Sequence, residues 1–267
     1  MSSLVLAFRK YDIVGGLYGT TWVGFKYFLQ FFNDPYFFRI VRNTIVLNLY
    51  MLLIAFPAPI VFALLLNEIR KARFRKMVQS ISYVPHFLST VIVVGLMMEL
   101  LSSRGIVNQA LMSLGIEKQL FFQESGWFRT LYVGSSVWEG MGWSSIIYMA
   151  ALAGINPELY EAARIDGAGR FQMIRYITVP CLMPTIAILF ILAVGRVMSV
   201  GFEKVYLMYS PATYETADVI STYIYRRGIL GMDYSYAVAV GLFNSVINFI
   251  LLMAANYTAR KAGYGLW

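Results

Sequence analysis

Long apolar runs alternate with short charged stretches along this chain, and the runs set the elements it predicts. Five stretches are long and apolar: about 44–66, 80–101, 131–153, 179–200 and 236–257. Crossing ~30 Å of hydrocarbon takes about 20 such residues in a helix, so each stretch predicts a spanning helix. Pro57, Pro59 and Pro184 fall inside these runs. Membrane helices accept proline where neighbours satisfy the freed carbonyls. No internal repeat is evident, and nothing in the pattern marks a helix broken at mid-membrane. The fold class is therefore an all-α polytopic bundle.

The polar stretches set the orientation. Residues 67–79, 154–178 and 259–267 hold ten Lys or Arg in 47 residues, whereas 1–43, 102–130 and 201–235 hold eleven in 107. The denser side is expected to be cytoplasmic. The chain then reads as an external segment 1–43, a transmembrane domain 44–258 with a cytoplasmic loop at 154–178, and a cytoplasmic tail 259–267. Exporting residues 1–43, with Arg9, Lys10, Lys26, Arg39 and Arg42, is awkward without a preceding helix. This predicts a sixth spanning helix upstream, with Ser3-Leu4-Val5-Leu6-Ala7-Phe8 as its last turns; a short interfacial anchor is the alternative.

Composition sharpens this picture. Of 267 residues, 59% are hydrophobic and only 13% charged, against about 25% charged in a soluble domain. The net charge of +8 follows the loops, so it speaks for topology and not for nucleic acid. One cysteine, Cys181, and one histidine, His86, cannot build a zinc cage or a disulfide. Cys181, in an apolar run, is expected to be buried and inert. His86 lacks a nucleophile at an informative spacing, which argues against a membrane enzyme.

The most informative loop lies between the third and fourth runs. Asn156 is a suitable N-cap, Pro157 fits the first helical position, and Glu158 complements the helix dipole. A short helix through Tyr160, Ala162 and Ala163 should end at Gly167 and Gly169, since glycine accepts the left-handed conformation. A second short piece follows, with Phe171, Ile174 and Ile177 on one face, and Pro180 opens the next span. Two short helices with a glycine elbow suit docking into a partner's groove.

Glu161-Ala162-Ala163, Gly167, Ile177 and Pro180 resemble the EAA motif of ABC importer permeases (the MetI-like, binding-protein-dependent inner-membrane components) in type and spacing. Val179 stands where leucine is usual. Asp166-Gly167-Ala168 resembles the form found among carbohydrate importers. Asn43-Thr44, Pro57-Ala58-Pro59, Asn67-Glu68, Tyr83-Val84-Pro85-His86-Phe87 and the ending Tyr264-Gly265-Leu266-Trp267 resemble the LplB-type branch. The resemblance implies a permease for a carbohydrate, as an oligosaccharide, in the bacterial plasma membrane. It also implies that Glu161, Ala162, Ala163, Asp166, Gly167, Ala168 and Gly169, with Ile177 and Pro180, form the contact with an ATPase subunit. Two ATPase copies, a second related permease and an external solute-binding protein complete the implied assembly.

No G-x-x-x-x-G-K-[ST] phosphate loop is present, so ATP and Mg are expected on the partner ATPase and no cofactor on this chain. An ion-driven secondary transporter is the alternative; it would leave the docking loop unexplained. Ionisable groups within a bilayer are costly and should face a cavity or find a partner. Glu139, Trp143, Arg196, Asn244 and Asn248 are candidates to line a translocation path. Against this stand a Glu139–Arg196 ion pair, helix packing by the two Asn, and Trp138 and Trp143 as interfacial anchors.

Overall fold

The computed structural model describes residues 2–12 and 16–266; Trp267, in the ending that carries part of the resemblance, lies outside them. A 3-10 helix at Ser2–Phe8 leads into an antiparallel hairpin, β1 (Arg9–Asp12) and β2 (Gly16–Trp22). Helices α1 (Lys26–Phe32) and α2 (Phe37–Tyr50) follow. A π-helical turn, Met51–Ala55, joins α2 to α3 (Pro57–Glu68), which begins on Pro57. Next come α4 (Ala72–Tyr83), a 3-10 turn at Val84–Phe87, α5 (Thr90–Leu100), α6 (Ile106–Ser113) and the 29-residue α7 (Ser125–Ala153). The loop helices α8 (Pro157–Ile165) and α9 (Arg170–Met173) pass through a second π turn, Ile174–Thr178, into α10 (Val179–Val194). Short helices α11 (Phe202–Met208), α12 (Tyr214–Ala217) and α13 (Ile220–Ile224), with a third π turn at Tyr225–Leu230, precede α14 (Tyr234–Lys261).

Every expected apolar run is helical, but not as one continuous rod each. Phe37–Glu68, Arg170–Val194 and Tyr234–Lys261 are long and apolar enough to cross a membrane. The second expected span is broken: Ala72–Phe87 and Thr90–Leu100 meet at 99°. The Val84–Phe87 turn, with Pro85 inside it, cannot continue an α-helical ladder. The fourth span ends at Val194 and not near Val200. Residues 195–200 are turn and coil there. Breaks therefore exist where the hydropathy pattern showed none. Helix α7 is long, but Arg129, Ser135, Ser136, Glu139, Ser144 and Ser145 make it more polar than the three spans. Cys181 is exposed, not buried; α10 buries Leu182 and Ile191 instead, and Cys181 falls off that face.

Packing divides the chain into two compact units, whereas the expected segments divide it by topology. The first comprises residues 1–49, 90–132 and 195–251. Its core gathers Phe31, Ile40, Ile220, Tyr223, Tyr236 and Val240. Phe31 meets Phe37 at 4.9 Å and Phe243 at 5.4 Å, both edge to face, the arrangement that aromatic quadrupoles favour. Ser235 pins the hairpin: its hydroxyl donates to Arg9 O at 2.7 Å and accepts from Tyr11 N at 2.8 Å. Asn108, fully buried, closes the loop after α6 through Ser102 O and both backbone groups of Gln119.

The second unit comprises 50–89, 133–194 and 252–267. Ala63, Tyr148, Leu152 and Leu182 form its core. Gly142 on α7 lies against the Ser82 carbonyl so closely that a Cβ would sit 2.2 Å from that oxygen. That approach lets α4 and the following turn reach α7.

Candidate functional site

The loop at 154–178 folds as its residues dictate. Asn156 caps α8, its Oδ1 accepting from Glu158 N at 3.0 Å, while Pro157 takes the first turn. The helix ends on Gly167, whose φ of +77° is left-handed, where a Cβ would cost ~1–2 kcal/mol. Around it, Asp166 N donates to Ala162 O and Ala168 N to Ala163 O, which satisfies carbonyls the helix end would leave free. Gly169 N then donates to Gln172 Oε1 and starts α9. Tyr160 Oη and Thr178 Oγ1, 3.0 Å apart, tie α8 to the π turn.

The second piece differs from its expected face. A π turn occupies 174–178; Phe171 is 73% exposed, Ile174 and Ile177 are half-buried, and Thr178 is buried. Pro180 lies in the first turn of α10 and is exposed.

A cavity of about 690 Å³ opens beside this elbow, lined by Asn67, Glu68, Arg70, Tyr160, Glu161, Arg164, Arg170 and Thr178 among others. Glu161 and the two arginines of the loop thus meet Asn67, Glu68 and Arg70 at the end of α3. Among the described residues, none of Glu68, Arg70, Glu161, Arg164 and Arg170 makes an ion pair. Ala162, Asp166, Gly167 and Gly169 are exposed, and Ala163 and Ala168 half-exposed. Ile165 is 87% exposed at the tip. Charges of both signs thus line a cavity beside exposed Ile165 and Phe171.

The candidate path residues fall into two groups, one in each unit. In the second unit, His86 stacks on Trp143 at 4.7 Å with the rings 8° from parallel, and Phe87 meets the same indole edge-on at 5.4 Å. Trp143 is nevertheless 42% exposed. Glu139 is half-buried on the same helix. In the first unit, Asn248 Oδ1 accepts from Met198 N at 2.9 Å and its Nδ2 donates to Ser199 Oγ at 2.8 Å. Asn244, one turn earlier, has a buried Oδ1 with no hydrogen bond among the described residues. Arg196 is exposed and, among the described residues, makes no ion pair.

Sequence reasoning missed a buried polar cluster. Asp218 is fully buried and accepts from Arg39 Nη2 at 3.1 Å, from Arg226 Nη1 and Nη2 at 2.9 and 2.7 Å, and from Thr222 Oγ1 at 3.0 Å. Burial opposes the Arg226 charge, but the hydrogen bonds and attraction of Asp218 outweigh it and raise the guanidinium above its usual range. Asn43, also fully buried, donates to the carbonyls of Glu215 and Asp218. The Asn43-Thr44 pair was the only visible trace of this cluster in the sequence.

Helices long and apolar enough to cross a membrane, with an exposed charged elbow, define an integral membrane protein. Residues 36–263 match the family of binding-protein-dependent transport system inner membrane components, and the chain belongs to it. It is 45% identical over 262 residues to "Protein LplB" of Bacillus subtilis (strain 168), covering 98% of this chain and 82% of that one. It is 44% identical to the polygalacturonan/rhamnogalacturonan transport system permease protein YteP of the same organism, with the same coverage of each chain. A bacterial ABC transporter involved in import of the acidic polysaccharide alginate superposes with TM-score 0.90 at 45% identity, over 97% of this chain and 87% of that one. The same transporter type crystallised with an alginate pentasaccharide-bound periplasmic protein gives 0.89 at 46% identity, over 91% and 85%.

Proposed function

We propose that this chain forms half of the translocation path of an ATP-driven oligosaccharide importer. Its partners are a second, related permease, two copies of an ATPase that bind ATP and Mg, and an external binding protein that delivers the sugar. The elbow 154–178 and the tail face the cytoplasm. Glu139, Trp143, Arg196, Asn244 and Asn248 line the path, where aromatic faces and polar groups suit a pyranose with its apolar face and hydroxyl rim. The carbohydrate class is supported by the names of YteP and the alginate importer.

The observation that carries the reading is the elbow: a capped, glycine-terminated pair of helices with unpaired Glu161, Arg164 and Arg170 and exposed Ile165. An ion-driven carrier has no use for such a surface. Purified with its cognate subunits and reconstituted, the complex should take up sugar only with internal ATP and the binding protein present. Uptake driven by a proton or sodium gradient without ATP would contradict the proposal.

A further inference from the structure

Helix α4 opens on a run of positive charge and leaves one face exposed. Five of the seven residues 70–76 are basic: Arg70, Lys71, Arg73, Arg75 and Lys76. Among the described residues, none of the five makes an ion pair. Phe74 and Met77 are 50% exposed and Ile81 65%. These three recur at helical spacing and form one apolar stripe. Arg73 and Lys76 border the stripe on one side and Lys71 on the other. Arg75, Val78, Gln79 and Ser82 are half-buried and take the packed face, where the Ser82 carbonyl meets Gly142.

The chain before α4 sets its place relative to the membrane. Phe37–Glu68 is long and apolar enough to cross by itself, and only residues 69–71 separate its end from α4. So short a link keeps the first turn of α4 at the face where α3 emerges. That face is also the elbow's, because Asn67, Glu68 and Arg70 share a cavity with Glu161 and Arg164. The helical stretch that begins with α4 meets α5 at 99°, so the two do not run through the bilayer as one rod. A cationic helix with an exposed apolar stripe at a membrane face has the pattern of an interfacial helix. Its apolar side chains enter the boundary of headgroups and acyl chains, and its Lys and Arg meet lipid phosphates.

We infer that α4 docks on anionic phospholipids of the leaflet beside the elbow. Phe74, Met77 and Ile81 enter among the acyl chains, while Arg70, Lys71, Arg73 and Lys76 hold lipid phosphates. Charge complementarity selects this occupant. The stripe alone would suit any lipid or an apolar protein, but the cations around it have no acid between Ile69 and Tyr83 to offset them. They favour a negative headgroup over a zwitterionic one. This surface needs only a bilayer around the chain and nothing of its cargo, so its failure and that of the importer reading are separate.

The test places a fluorophore on Phe74→Cys in a Cys181→Ser background and reconstitutes the full chain, alone and with its cognate subunits. The vesicles are phosphatidylcholine with a minor share of phosphatidylglycerol. The same amount of brominated lipid, which quenches on contact, is supplied as one headgroup or the other. Quenching should be several-fold stronger from brominated phosphatidylglycerol, since one basic residue at an anionic surface is worth about fivefold. The preference should fade at high salt, where charges are screened. Lys71→Gln, Arg73→Gln and Lys76→Gln together should abolish the preference while both lipids still quench, which shows that α4 remains in the membrane. Equal quenching by the two lipids with the basic residues intact would overturn the inference, as would a label that neither lipid quenches. A preference that survives the triple substitution would remove these charges from the contact. A preference present in the chain alone and lost with its subunits would assign the face to a protein and overturn the lipid reading.

Discussion

At the scale of single residues, the polar groups divide into those the fold has satisfied and those it has left open. Asp218 is satisfied four times over, and the two arginines that face it depend on its charge. Removing one partner of such a buried cluster leaves charges uncompensated and costs ~3–5 kcal/mol. Asp218→Ala is expected to lower the thermal unfolding midpoint in detergent sharply, and an unchanged midpoint would mean the cluster is incidental. Arg196 and the charges around Glu161 are the open groups, and both sites of proposed contact lie there. Asp218 was invisible in the sequence because its partners are far away: Arg39 stands 179 residues off, and no local pattern announces such a pair. Cys181 misled for a related reason, since an apolar neighbourhood in sequence does not say which way a side chain faces.

At the scale of elements, local chemistry was readable and long-range chemistry was not. Asn156, Pro157 and Gly167 specify the start and end of α8 within a dozen residues, and the structure follows them. The π turn at 174–178 was not readable, nor was the exposure of Phe171. The break at 195–200 was hidden because Met198 and Val200 continue the apolar run and are buried, while Asn248, which holds the break, comes fifty residues later. Two glycines test these elements separately. Gly142→Ala would drive a Cβ into the Ser82 carbonyl and should lower thermal stability. Gly167→Ala meets no neighbour within 4 Å but strains the elbow by ~1–2 kcal/mol. It should lower the unfolding midpoint by only a few degrees, about 2–4 °C per kcal/mol, less than Gly142→Ala, and lower ATP-dependent uptake. The reverse pattern would show that the elbow is passive and that the Ser82 contact is loose.

At the scale of the whole molecule, the amount and spacing of apolar sequence defined the class before any coordinate, and the EAA resemblance defined the family, which residues 36–263 now establish. The proposed coupling to an ATPase subunit runs through the elbow. The exposed tip at Ile165 offers the most direct test. In a Cys181→Ser background, Ile165→Cys is labelled with a membrane-impermeant maleimide, applied to sealed vesicles from either side, with and without the ATPase subunit. Labelling is expected only from the cytoplasmic side, with strong protection once the ATPase is bound. Labelling from outside the cell, or equal labelling with and without the ATPase, would contradict a cytoplasmic elbow that couples the two proteins.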